Sequence, residues 1–202
     1  MKRAWMVAAA MAAMAAAAMA CRGGQYRLTV VLNDNAGTLP RWVLRSAAEK
    51  VREALRTAGV ETQWIFCPGC VLPPPGTYAV VTIVPERKAA AEGSEALGLA
   101  VECPAAQGCY TSWVFDRELR AFAETVAQPV DGVLGYVMAH EMGHLMGLGH
   151  RPSGVMKADL RRGDLVDAER CLRFRADDAK KIRATVEIWT ADTAAAATPD
   201  GM

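Results

Sequence analysis

His140-Glu141-Met142-Gly143-His144-Leu145-Met146-Gly147-Leu148-Gly149-His150 holds all three histidines of a 202-residue chain. His140 and His144 are four apart, so on an α-helix their rings leave one face and can meet at a single metal ion. Glu141 points to a neighbouring face, within reach of a water on that ion. His150 cannot join them on a continued helix, because the six residues after His144 would turn it by about 600° and carry it about 9 Å further along. The helix must therefore stop. Gly147 adopts positive φ at little cost, and Gly149 adds freedom before His150 swings back. Three neutral imidazoles with no fourth protein ligand leave an open position, which distinguishes a catalytic zinc site from a closed structural one.

One zinc ion with an open position lowers the pKa of a bound water and polarises an incoming carbonyl. Glu141 then has a definite task as general base: it takes the proton of the attacking water and passes it to the departing amine. The expected reaction is hydrolysis of an amide, with His140, His144 and His150 as metal ligands and Glu141 as the catalytic carboxylate.

The pattern HExxHxxGxxH resembles the metzincin signature at every specified position. Metzincins also carry a tight turn with a Met beneath the zinc, and Ser153-Gly154-Val155-Met156 fits that Met-turn. Within the clan, Gly147-Leu148-Gly149-His150 and the strand pattern resemble the matrixins. That resemblance implies an α+β fold of the zincin type: an α/β-like upper subdomain with a five-stranded mixed sheet and two main helices, one of them the zinc helix, then a Met-turn and a C-terminal helix. It also implies that a protein or peptide substrate lies extended along the edge strand at residues 97–103, where backbone pairing gives affinity with little sequence preference. Side-chain selectivity would come from Tyr136, Val137 and the segment after Met156. Three departures accompany the likeness. There is no spare histidine for a second zinc, no propeptide with a zinc-blocking cysteine, and Lys157-Ala158-Asp159 stands where the family has a Pro soon after the Met.

Around this motif the pattern predicts strands at residues 26–32 (YRLTVVL), 61–67 (ETQWIFC) and 78–84 (YAVVTIV), and a hairpin of strands 97–103 and 109–115. An amphipathic helix is expected over 40–58, where Val43, Leu44, Ala47, Val51, Ala54 and Leu55 recur at helical spacing between Pro40 and Gly59. Residues 85–94 read as a loop, and the stretch after Asp116 as a polar, Ala-rich connection. The zinc helix is expected over 132–146 with Asp131 as N-cap. A last helix is expected over 176–189, with a stripe of Ala179, Ile182, Val186 and Trp189. The catalytic domain thus spans 26–190, followed by a disordered tail at 191–202.

Residues 1–20 carry Lys2 and Arg3 before an uncharged Ala- and Met-rich run, which reads as a secretion signal. Ala18-Met19-Ala20-Cys21 resembles a bacterial lipobox with Cys21 as lipidation site, although Ala18 stands where Leu is usual; Ala-x-Ala cleavage before Cys21 fits the same letters and would release a soluble protein. Either route exports the chain to an oxidising compartment as a periplasmic, surface-anchored or secreted protein, where thiols pair. Local disulfides between Cys67 and Cys70 and between Cys103 and Cys109 are expected, leaving Cys171 odd; Cys109 with Cys171 is the alternative. With 23 basic and 22 acidic side chains the net charge is +1, which excludes the broad basic surface of a nucleic-acid binder. The composition fits one exported domain acting as a monomer, with membrane contact only through the N-terminal lipid. The competing readings are a non-catalytic zinc-stabilised interaction protein and an amidase acting on a non-protein amide.

Overall fold

The computed structural model describes residues 26–67, 78–87, 96–101, 110–167 and 171–196. Within them the chain runs β1 (Tyr26–Asp34), α1 (Arg41–Thr57), β2 (Val60–Phe66), β3 (Tyr78–Val84), β4 (Gly98–Val101), β5 (Thr111–Phe115), α2 (Asp116–Thr125), α3 (Val130–Leu145), α4 (Arg162–Val166) and α5 (Ala176–Ala196). The strands form one sheet of order β2-β1-β3-β5-β4. All neighbours are parallel except β4, which runs antiparallel to β5 at one edge. The result is the mixed five-stranded α+β architecture expected from the sequence.

Alternation along the strands sends Leu28, Val30 and Leu32 of β1, Ala79, Val81 and Ile83 of β3, and Val114 of β5 into one core. The buried stripe of α1 closes on it with the residues its spacing predicts, Val43, Leu44, Ala47, Val51, Ala54 and Leu55. Gly59 follows at φ +86° and turns the chain into β2. The histidine-bearing helix α3 is buried almost all round and packs against α1. A Cβ on Gly135 would lie only 3.2 Å from the Ala47 carbonyl oxygen and 2.9 Å from Lys50 Cβ, so a bare backbone at 135 sets the close approach of the two helices. The same pair is tied by Asp131, which accepts hydrogen bonds from Ser46 Oγ (2.6 Å) and Lys50 Nζ (2.7 Å).

Several expectations are corrected. Asp131 is not the N-cap of α3; Pro129 holds that position and Asp131 sits inside the first turn, its carboxylate engaged with α1. The stretch after Asp116 is helix α2, whose Leu119 and Ala123 are buried and whose Phe122 packs against the core together with Val126, the residue that caps its C-terminus. That three-and-four spacing was present in the sequence under a charged, Ala-rich surface. A further short helix, α4, lies between the turn at Gly154–Met156 and α5. The last helix continues to Ala196, past the expected start of the tail, because an alanine-rich run is the best of helix formers. Its expected stripe of Ala179, Ile182, Val186 and Trp189 is buried, with Trp189 stacked on Tyr110 at a centroid distance of 3.8 Å. Cys67 is disulfide-bonded, while Cys70, Cys103, Cys109 and the leader with Cys21 lie outside the described residues. Among those described, no helix is long and apolar enough to cross a membrane.

A candidate metal centre

Helix α3 ends where the spacing of the histidines demands. Gly147 has φ +76°, its N–H donates to the His144 carbonyl (2.8 Å), and the N–H of Leu148 donates to the Gly143 carbonyl (3.0 Å). These paired bonds form a Schellman motif, which satisfies carbonyls the helix end would otherwise leave bare. The chain reverses there, and His150 returns towards His140 and His144.

Three ring nitrogens converge as a result. His144 Nε2 lies 3.0 Å from His140 Nε2 and 3.2 Å from His150 Nε2, and the donor atoms of all three histidines fall within 4.8 Å of one another. Zinc–nitrogen bonds of about 2.0–2.1 Å at tetrahedral angles separate neighbouring donors by about 3.3 Å, and the spacing of His144 from each of the other two rings suits a zinc-sized ion. The tautomers suit it as well. Nδ1 of His140 lies 2.8 Å from the Val155 carbonyl and Nδ1 of His144 lies 2.8 Å from the Leu148 carbonyl. A carbonyl can only accept, so each Nδ1 carries the proton and each Nε2 is left with a lone pair. Burial lowers the pKa of His140 to about 4, the Val155 bond offsetting it only in part, and burial lowers that of His144 as well. Both rings are therefore neutral at pH 7, the form a metal requires.

Glu141 is 7% exposed and projects from the next face of α3 onto edge strand β4. Its Cγ and Oε1 lie 2.8 Å and 2.9 Å from where a Cβ on Gly98 would stand, so the absence of a side chain at 98 creates its seat. Burial raises its carboxyl pKa to about 7, and a hydrogen bond from the Ala100 backbone opposes the rise. A buried carboxylate with that value, beside three convergent imidazoles, is suited to receiving and releasing a proton near neutral pH.

Met156 is fully buried, its sulfur against Gly143 of α3, in the turn begun by Gly154 at φ +78°. Tyr136 Oη donates to the Gly154 carbonyl at 2.8 Å, one helical turn before His140 binds Val155, so two successive turns of α3 are fastened to this loop. Tyr136 and Val137 are accordingly 2% and 5% exposed; they pack inward and do not present the open specificity surface expected of them. A cavity of about 400 Å³ lies beyond the turn, lined by residues that include Ser153, Lys157, Asp164, Arg173 and Phe174. Gly98, Ala100, Gly143 and the carbonyls of Leu148 and Val155 were not foreseen. Backbone acceptors carry no sequence signal, and a glycine in a strand or helix announces a close approach without naming what approaches.

No protein-family model matches the chain, and no curated protein matches it. Among solved structures it is similar to archaemetzincin from Methanopyrus kandleri, with 14% identity over 80% of this chain and 96% of that one and a TM-score of 0.53. It is also similar to metalloproteinase-II from Bacteroides fragilis, with 11% identity over 82% of this chain and a TM-score of 0.51. This chain covers 55% of the latter, about half its length. At these identities the likeness establishes a shared fold.

Proposed function

We propose that the chain is a zinc-dependent endopeptidase of metzincin type. The observation that carries this reading is the convergence of the three Nε2 atoms on one point with the buried carboxylate of Glu141 on the adjoining face. His140, His144 and His150 would hold one zinc ion. Bound there, zinc supplies Lewis acidity, making a water more acidic and a carbonyl more electrophilic. Glu141 takes the proton of the attacking water and returns it to the departing amine. Gly98 leaves room for that carboxylate, and the Ala100 N–H orients it. The open edge of β4 offers backbone groups to an extended substrate. The names of the two structural neighbours, an archaemetzincin and a metalloproteinase, support the clan; the matrixin likeness rests on Gly147 to His150, Met156 and the strand pattern. The leader letters before Cys21 support export, by lipid anchor or as a soluble chain.

Metal analysis and cleavage of an unfolded protein by the purified chain test the proposal. One zinc per chain, chelator-sensitive cleavage, and loss of cleavage in Glu141→Gln with zinc retained are expected. Undiminished cleavage by that variant would remove Glu141 from the mechanism, and a chain that takes up no zinc would end the reading.

A further inference from the structure

His140 and His144 are each oriented by a bond from their own Nδ1 to a backbone carbonyl. His150 differs. It is exposed, and among the described residues its Nδ1 has no hydrogen-bond partner; its ring lies against those of the other two histidines. Something else must hold it, since an exposed ring on a loop of two glycines is otherwise free to turn away.

The C-terminal helix faces that loop with a polar ladder. Thr185 Oγ1 donates to the Met146 carbonyl at 3.2 Å, and Lys181 Nζ donates to the Gly147 carbonyl, so α5 grips the start of the loop. At its end, Arg151 sends Nη2 and Nε to one carboxylate oxygen of Asp178, at 2.9 Å and 3.2 Å. Asp178 is 1% exposed, so the charge is removed from water and depends on this cation. Residues 178, 181 and 185 recur at helical spacing and share one face of α5. The main chain of Arg151 is fixed too, its N–H donating to the Met156 carbonyl at 2.8 Å. The residue after the third histidine is thus pinned by backbone to the Met-turn and by side chain to α5.

We infer that the Arg151–Asp178 pair is a positioning device for His150, replacing the orienting bond that the other two ligands make for themselves. The inference rests on the three-histidine zinc reading and extends it to the C-terminal helix, which contributes no ligand. Arg serves where Lys would not, because two donors of its rigid fork reach the same oxygen.

Zinc affinity of the metal-free chain, measured by competition with a chromophoric chelator, tests it. The variants are Arg151→Met, Arg151→Lys and Asp178→Asn, each made alone and in a His150→Ala background, with thermal unfolding of every metal-free form recorded. Partners beyond the ligands typically govern metal affinity by about 10- to 100-fold. A loss of that size is expected for Arg151→Met and Asp178→Asn when His150 is present, with a smaller loss for Arg151→Lys. In the His150→Ala background all three substitutions should leave affinity within about twofold, because the tether acts only through that ring. Equal losses in both backgrounds would show a general structural role and overturn the inference. Unchanged affinity in folded single variants would overturn it as well. If the unsubstituted chain binds no zinc, the metal-centre reading fails first and the inference falls with it, an outcome distinct from the other two.

Discussion

The sulfur of Met156 occupies the space where a side chain on Gly143 would begin: a Cβ at 143 would sit 2.2 Å from Met156 Sδ and 3.2 Å from Phe174 Cε1. The residue before the second histidine is therefore bare because the Met-turn presses against the helix at that level. Val155, next to Met156, supplies the carbonyl that orients His140, so packing at 143 and alignment of the first ligand are mechanically linked. Gly143→Ala should destabilise the fold by about 1–3 kcal/mol through overpacking and weaken zinc binding with it. Met156→Ala, which opens a cavity instead, should cost about 2–5 kcal/mol. Chemical denaturation and zinc titration of both variants check this; an unchanged Gly143→Ala protein would mean the turn yields freely.

The seat of Glu141 gives a second expectation. A methyl at residue 98 would meet the Glu141 side chain at 2.8 Å and the Trp113 carbonyl oxygen at 2.9 Å, and the carboxylate is the more mobile of the two. Gly98→Ala should therefore lower kcat by about 100-fold, the scale of loss for a catalytic group displaced by about 1 Å, while zinc content stays at the unsubstituted level. Kinetics paired with metal analysis decide the matter, and normal turnover would show that the seat is not needed.

Stability of the metal-free protein should depend on pH through two opposed groups, Glu141 and His140. Its folded pKa of about 7 lies above the ordinary 4.5, so its favourable contribution is complete below pH 4.5 and is lost as pH rises through 7. Glu141→Gln removes that loss and should stabilise the chelator-treated protein by about 3 kcal/mol at pH 8, with no gain at pH 4. His140 works in the opposite direction: burial lowers its folded pKa to about 4 from 6.5, so its contribution is present above 6.5 and is lost as pH falls towards 4. Unsubstituted protein should show a shallow profile between pH 4.5 and 6.5, and Glu141→Gln a steep one. Parallel profiles from denaturant titrations would contradict the assignment.

Gly147 tests the helix stop. Its φ of +76° costs an L-residue about 1–2 kcal/mol, and an added Cβ would also meet Lys181 Cε at 3.3 Å. Gly147→Ala should lower stability by that amount and Gly147→Asn by less, since Asn tolerates the left-handed region better. Thermal unfolding of the two variants distinguishes a conformational cost from a steric one: equal losses would point to Lys181.

Much of this molecule could be read from its letters because the relevant physics is local. The pairing of His140 with His144 follows from the helical repeat, the return of His150 from the glycine at 147, and β3 and the α1 stripe from alternation and periodicity within a few residues. α2 was legible in the same way, through Leu119, Phe122, Ala123 and Val126, but its charged surface concealed it. Tertiary structure alone decided that Gly98 makes room for Glu141, that Gly143 yields to Met156, that Tyr136 closes inward on Gly154, and that Asp178 reaches back to Arg151. Each joins segments separated by 13 to 43 positions in the sequence. Spacing within one segment specifies direction around a helix or strand axis, whereas contact between segments depends on how whole elements pack, which no short stretch of sequence encodes.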